Sequence, residues 1–381
     1  MENKSSSYNK NINKNSFNYF KISLFFFFII FNNIINETEI KIKTNKDESS
    51  LIFKLFPFLN KQKVSNTKIS IFIPIYNKED YIYRCIKSIQ VQTLNDIEVI
   101  AVNDYSDDNS LKILNELAKN DNRIKVINND KNHGLLYSRA KGILASSGEY
   151  LMNLDSDDEL KNYNSLKNLY YKAKRYNLDI INFIFFDKKQ NKNINNCNKI
   201  NLILKQPELF YSIFNKNHEI KDYNIWNKLI KRETFIKAYE AFKKEIYNWK
   251  WNYYEDDIWN ILVNKYANSK LCVNRVIYIY NYNNESLMNN KIRLIEIKNL
   301  LYRHEMYKKI FSTKENEKYL VAENLFLFNR LKLQINELIL LNSHNLNIQI
   351  INIIRYFLKN YKCSTELRNN ITNFMNSIIN N

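Results

Sequence analysis

Residues 150–159 read Tyr-Leu-Met-Asn-Leu-Asp-Ser-Asp-Asp-Glu, a short apolar run that ends in Asp155, Asp157 and Asp158. An apolar run of this length is typical of a buried strand, which puts the acids at its carboxyl end. In open α/β sheets ligands bind at that end, and hard divalent cations prefer carboxylate oxygens together with substrate phosphates. By itself the pattern is more often a turn or a helix N-cap, so its meaning depends on the surrounding chain.

Segments with strand and helix patterns alternate around this run. Beginning with a strand, the apolar spacing predicts alternating elements over residues 69–75, 79–91, 97–102, 108–119, 124–127, 135–145 and 150–154. Such alternation with short joints indicates parallel pairing through right-handed crossovers. We therefore expect an α/β protein with a doubly wound, mostly parallel sheet and flanking helices.

Polar joints follow three of these strands. They comprise residues 74–77 (Pro-Ile-Tyr-Asn), 103–108 (Asn-Asp-Tyr-Ser-Asp-Asp) and 155–158 (Asp-Ser-Asp-Asp). Because the carboxyl ends of parallel strands meet at one edge of a sheet, we expect the three joints to cluster. A nucleotide across this crevice would have its base near the first two joints and its diphosphate at the third.

The glycines of the chain are concentrated in one short stretch. All three, Gly134, Gly142 and Gly148, lie between Asn132 and Tyr150. Gly134 is predicted to start a helix, where exposed N–H groups suit phosphate, and Arg139 follows one turn later. We interpret Gly148 as a turn before the fourth strand.

The chain is strongly basic. It has 381 residues, with 57 basic and 39 acidic side chains and a net charge of +18. This balance is compatible with nucleic acid or an anionic membrane as a partner. However, the lysines are spread along a chain rich in Asn, Ile, Tyr and Phe, and no basic stripe or nucleic-acid module is recognisable. We therefore expect no nucleic-acid partner.

The four cysteines, Cys85, Cys197, Cys272 and Cys363, are far apart and show no Cys-x-x-Cys or Cys/His metal spacing. This pattern predicts neither a zinc site nor a disulfide framework. Cys85 falls on the apolar face of a predicted helix, where core packing is its expected role.

An apolar segment lies near the N-terminus. Residues 1–19 form a polar tail with lysines, and residues 20–35 contain the run Phe20-Lys-Ile-Ser-Leu-Phe-Phe-Phe-Phe-Ile-Ile-Phe31. The run is short for a spanning helix and lacks a small-residue cleavage site. An uncleaved signal anchor is the preferred interpretation, followed by a cleaved signal peptide and then by a buried helix. Lysines before the run and acids after it predict a single-pass membrane protein with a cytoplasmic N-terminus.

Two further regions are distinguished by composition. Residues 36–67 have mixed polarity and are interpreted as a stem or linker. From residue 291 to residue 381 apolar residues recur at helical spacing, which predicts a helical C-terminal region.

Four motifs occur in the order and spacing of family 2 glycosyltransferases, which the chain therefore resembles. They are Pro74-Ile-Tyr-Asn77, Asn103-Asp-Tyr-Ser-Asp-Asp108, Asn132-His-Gly-Leu-Leu-Tyr-Ser-Arg139 and Asp155-Ser-Asp-Asp158. Two later segments are similar to the acceptor-side and catalytic-base segments of that family, Trp226-Asn-Lys-Leu-Ile-Lys-Arg232 and Tyr254-Glu-Asp-Asp-Ile-Trp259. The resemblance implies a GT-A domain over residues 68–290 with a DxD motif.

The resemblance also implies a role for each matching residue. The general base would be Asp256, and Asp155 and Asp157 would bind Mn²⁺ or Mg²⁺. The nucleotide-sugar would contact Pro74, Tyr76, Asn77, Asp104, Ser106, Asn132, Gly134, Arg139 and Asp155. The acceptor side would include Trp226, Lys228 and Glu255. Where many members have paired acids, this chain has Asn103-Asp104, and where many have Ala-Arg-Asn, it has Ser138-Arg139-Ala140. Uridine remains the expected nucleoside.

The function implied by the resemblance is metal-dependent, inverting transfer of a sugar from a nucleotide-sugar, with a UDP-sugar as the default donor. The enzyme would be a hexosyl- or N-acetylhexosaminyltransferase, and the acceptor a hydroxyl on a glycan, lipid or protein. The N-terminal segment adds the membrane as a partner, with the lumen of the endoplasmic reticulum or Golgi as the location in a eukaryote. Two alternatives stay open: a nucleotidyltransferase, and a non-catalytic membrane-anchored binding protein with a decayed transferase fold.

Overall fold

The computed structural model describes residues 66–197, 199–215, 220–248, 253–283 and 294–311, together with shorter pieces at 319, 324, 327–331, 352, 354–355, 358–359 and 365–379. The polar tail, the apolar run over residues 20–35 and the stem as far as residue 65 lie outside these residues. Among the described helices, none is both long enough and apolar enough to cross a membrane.

The first half of the sheet is parallel. The strand β1 (Ile69–Ile75) pairs in parallel with β2 (Ile97–Asn103) on one side and with β4 (Tyr150–Asn153) on the other, and β2 pairs in parallel with β3 (Ile124–Asn128). Every residue of β1 and β2 is buried, as expected of parallel strands covered on both faces. The predicted strand–helix alternation is confirmed over this half.

The second half of the sheet is mixed. Its strands are β5 (Glu159–Leu160), β6 (Ile180–Asp187), β7 (Lys192–Ile194), β8 (Ile203–Lys205), β9 (Lys228–Lys231) and β10 (Ser269–Tyr280). The full order is β3-β2-β1-β4-β9-β6-β10-β5, with β7 and β8 paired outside this path. Here β6 and β10 are parallel, whereas β9 runs antiparallel to both β4 and β6, and β5 and β8 run antiparallel to β10.

The expectation of a mostly parallel sheet is therefore wrong beyond β4. Parallel pairing follows from repeated strand–helix–strand units. These units end at β6, and the chain after β6 contains short strands and irregular segments. The returning strand β9 is then free to insert between β4 and β6 in the opposite direction.

Helices cover both faces of the sheet. They are α1 (Glu79–Gln90), α2 (Ser110–Asn120), α3 (Leu135–Ala145), α4 (Ser165–Arg175), α5 (Glu208–Tyr211), α6 (Arg232–Asn248) and α7 (Glu255–Tyr266). One apolar cluster joins Ile71 and Ile73 of β1 to Ile82 of α1, and the other joins Phe72 to Trp259 of α7. The alternation of side chains along β1 thus supplies both cores.

The helix α3 packs unusually close to β1. A Cβ atom added at Gly142 would lie 2.8 Å from Cβ of Phe72, and one added at Gly148 would lie 2.6 Å from the amide nitrogen of Ser70. Gly148 is therefore required by close packing against β1, and the interpretation as a simple turn residue missed this contact.

The C-terminal region is helical where the structure describes it, as the spacing predicted. The helices α8 (Leu294–Ile310) and α9 (Thr365–Ile379) belong to it. Arg303 of α8 forms a buried ion pair with Asp257 of α7, with Nε–Oδ2 2.6 Å. The region therefore supports the segment in which the general base was predicted.

A disulfide joins Cys197 to Cys272 across 75 residues of sequence. The cysteine spacing predicted no disulfide framework and did not reveal this single bond, which forms because the fold brings the segment after β7 beside β10. Cys85 is buried and unpaired, in agreement with the predicted core role.

Candidate active site

Hydrogen bonds tie the joints after β1 and β2 together. The Asn77 N–H donates to Ser106 Oγ at 3.1 Å, and the Asp107 N–H donates to Asn77 Oδ1 at 3.1 Å. The Asp108 carboxylate accepts the N–H groups of Glu79 and Ser110 in the first turns of α1 and α2. The predicted clustering of these joints is present, and Asn77 and Ser106 hold it in place.

Tyr76 and Pro74 differ in access to this crevice. Pro74 is buried within β1, opposite Val102 of β2. Tyr76, two residues later, is 45% exposed. Tyr76 is therefore the residue of the first joint that offers an open apolar surface to a ligand.

Asp104 organises the segment before α3. Its carboxylate is buried and accepts hydrogen bonds from Asn129 Nδ2 at 2.8 Å, from the His133 N–H at 3.0 Å and from the Gly134 N–H at 2.8 Å. Gly134 has a φ of 96°, which favours glycine. Its amide, which the sequence suggested for phosphate, is thus bonded to Asp104. Asn132 Oδ1 is buried and lacks a hydrogen-bond partner among the described residues.

Asp155 and Asp157 follow β4 and keep partial access to solvent. The Asp155 side chain is 25% exposed and accepts hydrogen bonds from Asn153 Nδ2 and Arg139 Nη2. The Asp157 side chain is 20% exposed, and its Oδ2 lies 2.9 Å from Lys78 Nζ. Both carboxylates therefore already face a positive charge.

Asp158 has a different environment. It is buried and accepts the Tyr278 hydroxyl at 2.6 Å and the Asn281 N–H at 2.7 Å. Burial raises the pKa of Asp158 well above its usual range, and the charges of Asp157 and Asp155 add to the effect. Asp158 thus anchors β10 beneath the motif and does not face the crevice.

The two exposed carboxylates suit a divalent cation. Mg²⁺ and similar ions bind through one or two carboxylates plus substrate phosphates. Among the described residues no group of three or more His, Cys, Asp or Glu side chains is arranged for a metal ion. Asp155 and Asp157 are the residues here that could hold such an ion, together with oxygens from a bound diphosphate.

Arg139 links the two sides of the site. Its guanidinium is buried and bonds to Asp155 Oδ1 at 3.2 Å, to Glu255 Oε1 at 2.7 Å and to Asp256 Oδ1. Asn153 Oδ1 accepts from Nε at 3.1 Å. Arg139 lies on α3, so this helix connects the acids after β4 to the acids at the start of α7.

The three acids that begin α7 differ in access. Glu255 is buried against Arg139, and Asp257 is buried against Arg303. The Asp256 side chain is 23% exposed. Of these three, Asp256 is therefore the one that a substrate can reach.

The pKa of Asp256 lies well above its usual range. Burial is the largest cause, the positive charge of Arg139 opposes it, and the negative charges of Glu255 and Asp155 raise it further. The neighbouring acids Glu255 and Asp257 are visible in the sequence. The loss of hydration, which the sequence does not reveal, is the larger effect.

Lys228 and Trp226 are buried beside the predicted acceptor side. The Lys228 ammonium lies 2.8 Å from Asp222 Oδ1 and 2.9 Å from Asn227 Oδ1. Burial lowers the pKa of Lys228 to about 8. Asp222 also pairs with Lys270 at 3.2 Å and accepts a bond through its carbonyl from Asn260 of α7. The network ties β9 and β10 to α7 beneath the site.

Trp226 belongs to an aromatic cluster. Its ring stacks on Tyr278 and Tyr280 at centroid distances of 4.6 and 5.7 Å and meets Phe185 edge-on at 4.7 Å. Only 6% of Trp226 is exposed. In this structure the ring supports Tyr278, which in turn bonds to Asp158.

The side chains that contact Asp157 were not predicted from the sequence. Lys78 and Asn283 both bond to Asp157 Oδ2, at 2.9 and 3.1 Å, and the Arg84 guanidinium bonds to the Asp157 carbonyl at 2.7 Å. Lys78 follows Asn77 directly in the joint after β1, so its position at this edge of the sheet could have been predicted from the sequence. Asn283 lies 126 residues from Asp157, and no local pattern points to it.

The chain is similar to several known proteins. Residues 70–238 match the family model "Glycosyl transferase family 2". The chain is similar to "Uncharacterized glycosyltransferase EpsJ" of Bacillus subtilis, with 32% identity over 221 residues that cover 58% of this chain and 62% of EpsJ. It is also similar to the "Cholesterol galactosyltransferase" of Borreliella burgdorferi, with 32% identity over 184 residues that cover 46% of this chain and 51% of that protein.

Among solved structures, the chain is similar to S. aureus TarS 1–349 in complex with UDP-GlcNAc. The TM-score is 0.57 at 18% identity, and the match covers 77% of this chain and 81% of TarS 1–349. This likeness shows the fold, a mixed α/β GT-A-like arrangement. The matches span 62% of EpsJ and 51% of the galactosyltransferase, and the family match ends before Asp256. Residues 70–238 thus carry the sequence pattern of glycosyl transferase family 2 on a GT-A-like fold.

Proposed function

We propose that this chain is a metal-dependent, inverting glycosyltransferase that moves a hexosyl or N-acetylhexosaminyl group from a UDP-sugar to a hydroxyl acceptor on a glycan, lipid or protein. One observation carries the proposal. Arg139 contacts both Asp155, at the predicted diphosphate site, and Asp256, the predicted base. A donor phosphate and an acceptor hydroxyl would therefore meet around one buried guanidinium. The match to a glycosyltransferase family supports the same reaction.

The donor side consists of the three joints. Tyr76 and Asp104 would receive the nucleobase, and Asp155 and Asp157 would hold Mn²⁺ or Mg²⁺ against the diphosphate. When bound, the ion would neutralise the charge that develops on the departing UDP. Lys78 pairs with Asp157 and would turn to a phosphate oxygen as the site fills.

The acceptor side consists of the start of α7. The Asp256 carboxylate would take the proton from the acceptor hydroxyl as its oxygen forms a bond to the anomeric carbon. The bond from that carbon to the diphosphate oxygen breaks, and the electron pair leaves with UDP. Attack from the face opposite the leaving group inverts the anomeric configuration. A raised pKa makes Asp256 a stronger base wherever it is ionised.

Incubation with a panel of UDP-sugars and candidate acceptors tests the proposal. Release of UDP that depends on both a sugar donor and a divalent ion is expected. Release of pyrophosphate would instead assign a nucleotidyltransferase, and binding without either product would assign a non-catalytic protein. Nuclear magnetic resonance of the product would show whether the anomeric configuration is inverted.

We also propose that residues 20–35 anchor the chain in a membrane and that the catalytic region lies on the lumenal or external side. The run of apolar residues and the flanking charges support the anchor, and the Cys197–Cys272 disulfide suits an oxidising compartment. Carbonate extraction and protease protection of the full chain test it. Full-length protein that stays soluble after extraction would contradict the anchor.

A further inference from the structure

Tyr105 has an unusual backbone conformation for its side chain. Its φ is 61°, in the left-handed region that favours glycine, and it lies in the joint after β2. A bulky residue in this region is strained and persists only where the surroundings fix the backbone. Because residues of this kind cluster at ligand sites, the presence of a tyrosine here requires an explanation.

Contacts on both sides of Tyr105 fix the strained turn. The Asp104 N–H donates to the Ile75 carbonyl at 2.7 Å, and the Asp107 N–H donates to Asn77 Oδ1 at 3.1 Å. Both bonds involve neighbours of Tyr105 and neither involves its side chain. The turn therefore does not depend on a phenol ring at this position.

Among the residues that the structure describes, no polar partner or neighbouring ring holds the Tyr105 side chain. The residue is 56% exposed, and no hydrogen bond or ring contact of the side chain occurs among the residues that the structure describes. More than half of the residue stays in water, so the ring contributes less to the stability of the fold than a buried ring would. Glycine at this φ would relieve the strain. Folding alone thus gives no reason for the ring.

The position of Tyr105 supplies the reason. It follows Asp104 directly, and Tyr76 lies on the neighbouring joint because Ile75 of β1 is aligned with Asn103 of β2. Two exposed aromatic rings therefore belong to adjacent joints at one edge of the sheet, beside the carboxylate expected at the nucleobase. Aromatic faces stack on any base, since every base has a π-face.

We propose that Tyr105 binds the nucleobase of the donor, with its ring covering the base on the solvent side while Tyr76 lines the slot. The inference rests on the proposed function and adds a residue to its donor site. Under this proposal, affinity and base selectivity depend on different residues. Tyr105 would supply affinity for nucleoside diphosphates in general, whereas the choice between bases would depend on Asp104.

Calorimetric titration of UDP and GDP into the full chain, with Mn²⁺ present, tests the inference. The variants are Tyr105→Gly, Tyr105→Phe and the control Tyr163→Ala. Tyr163 is another tyrosine of an exposed turn, 62% accessible, and lies outside the three joints. We expect Tyr105→Gly to weaken UDP binding by about fivefold or more, with Tm unchanged or raised. Tyr105→Phe should bind within about twofold of wild type because it keeps the ring.

The outcomes separate this inference from the proposed function. Equal UDP affinity of wild type and Tyr105→Gly would overturn the role of Tyr105 while leaving the glycosyltransferase intact. A lower Tm of Tyr105→Gly, or a similar loss of UDP affinity in Tyr163→Ala, would also overturn it, because the effect would then be structural. Wild-type protein that binds neither UDP nor GDP would overturn the proposed function and the inference together. A parallel loss of UDP and GDP affinity in Tyr105→Gly supports stacking.

Discussion

Arg139 and Glu255 form a buried ion pair, with Nη1–Oε1 2.7 Å, although 116 residues separate them in the chain. The same guanidinium bonds to Asp155 and Asp256, so three carboxylates surround one cation. Their charges raise the pKa of Arg139, although burial alone would lower it. This cation holds the start of α7 against the end of β4.

Removal of Arg139 should therefore destabilise the protein strongly. Arg139→Met leaves Glu255 buried without its partner, and loss of one member of a buried pair costs about 3–5 kcal/mol. Thermal unfolding of Arg139→Met and of wild type measures this loss of stability. The double variant Arg139→Met, Glu255→Leu removes both buried charges and should regain much of the lost Tm while remaining inactive. A double variant less stable than Arg139→Met alone would contradict the pairing.

Substitution of the base should separate catalysis from stability. Asp256→Asn keeps the size of the side chain but cannot accept a proton, so transfer should fall by about 10²–10⁴-fold. UDP-sugar binding and Tm should stay near wild type. Initial rates of UDP release measure this loss.

Glu255→Gln and Asp257→Asn are the matched controls for that change. Each neighbour is buried against an arginine, whereas Asp256 is partly exposed, so the neutral variants of Glu255 and Asp257 should lower Tm more than Asp256→Asn does, with a milder loss of transfer. If Glu255→Gln carried the large rate loss and Asp256→Asn kept more than about a tenth of the rate, the base would be Glu255.

The pH dependence of transfer should report the raised pKa of Asp256. The base works only when ionised, so kcat/KM should fall as pH decreases through the Asp256 pKa, at a pH well above 3.8, the ordinary value for aspartate. Folding raises the pKa of Asp256, so the protonated carboxyl group stabilises the folded state at low pH. This stabilisation is lost as the pH rises through the pKa that Asp256 has in the folded state. The acid limb should be absent from the residual activity of Asp256→Asn. An unchanged limb in that variant would assign it to another group.

Metal dependence should reside in Asp157. Asp157→Ala removes a partly exposed carboxylate from the edge of the sheet, so the fold should persist while Mn²⁺ no longer strengthens UDP binding. Calorimetry with Mn²⁺ or with EDTA measures the difference. The control is Asp121→Ala, which removes a carboxylate paired with Arg123 at 2.8 Å outside the three joints and should leave the metal effect unchanged. Wild-type UDP binding that EDTA does not alter would contradict the metal site.

The disulfide should contribute to stability in the oxidised protein. Closing a loop of 75 residues stabilises by at most about 4.5 kcal/mol in the chain-entropy description. The double variant Cys197→Ser, Cys272→Ser should therefore have a lower Tm than oxidised wild type and a Tm insensitive to reductant. Cys85→Ser is the control, because Cys85 is unpaired and should leave the reductant effect in place. Wild-type Tm unaffected by reductant would contradict the bond.

The parallel half of the sheet and the convergence of its joints could be predicted from the amino-acid sequence. β1, β2 and α3 follow from apolar periodicity, a local property that neighbouring residues carry. Once the strands are parallel, residues such as Asp104 and Asp155 must lie at the same edge. The sequence alone therefore predicts that these two residues lie close together.

The differences between the acids of the site depend on long-range packing. Asp155 and Asp158 are three residues apart, yet one is partly exposed and the other is buried against Tyr278 of β10. Access, hydration and charge partners of a carboxylate depend on elements distant in sequence. Arg139 likewise joins Glu255, and Cys197 joins Cys272, through a mixed half of the sheet that no local period predicts. Tertiary packing determines these contacts, because it decides which charged side chains are buried, and so dehydrated, next to one another.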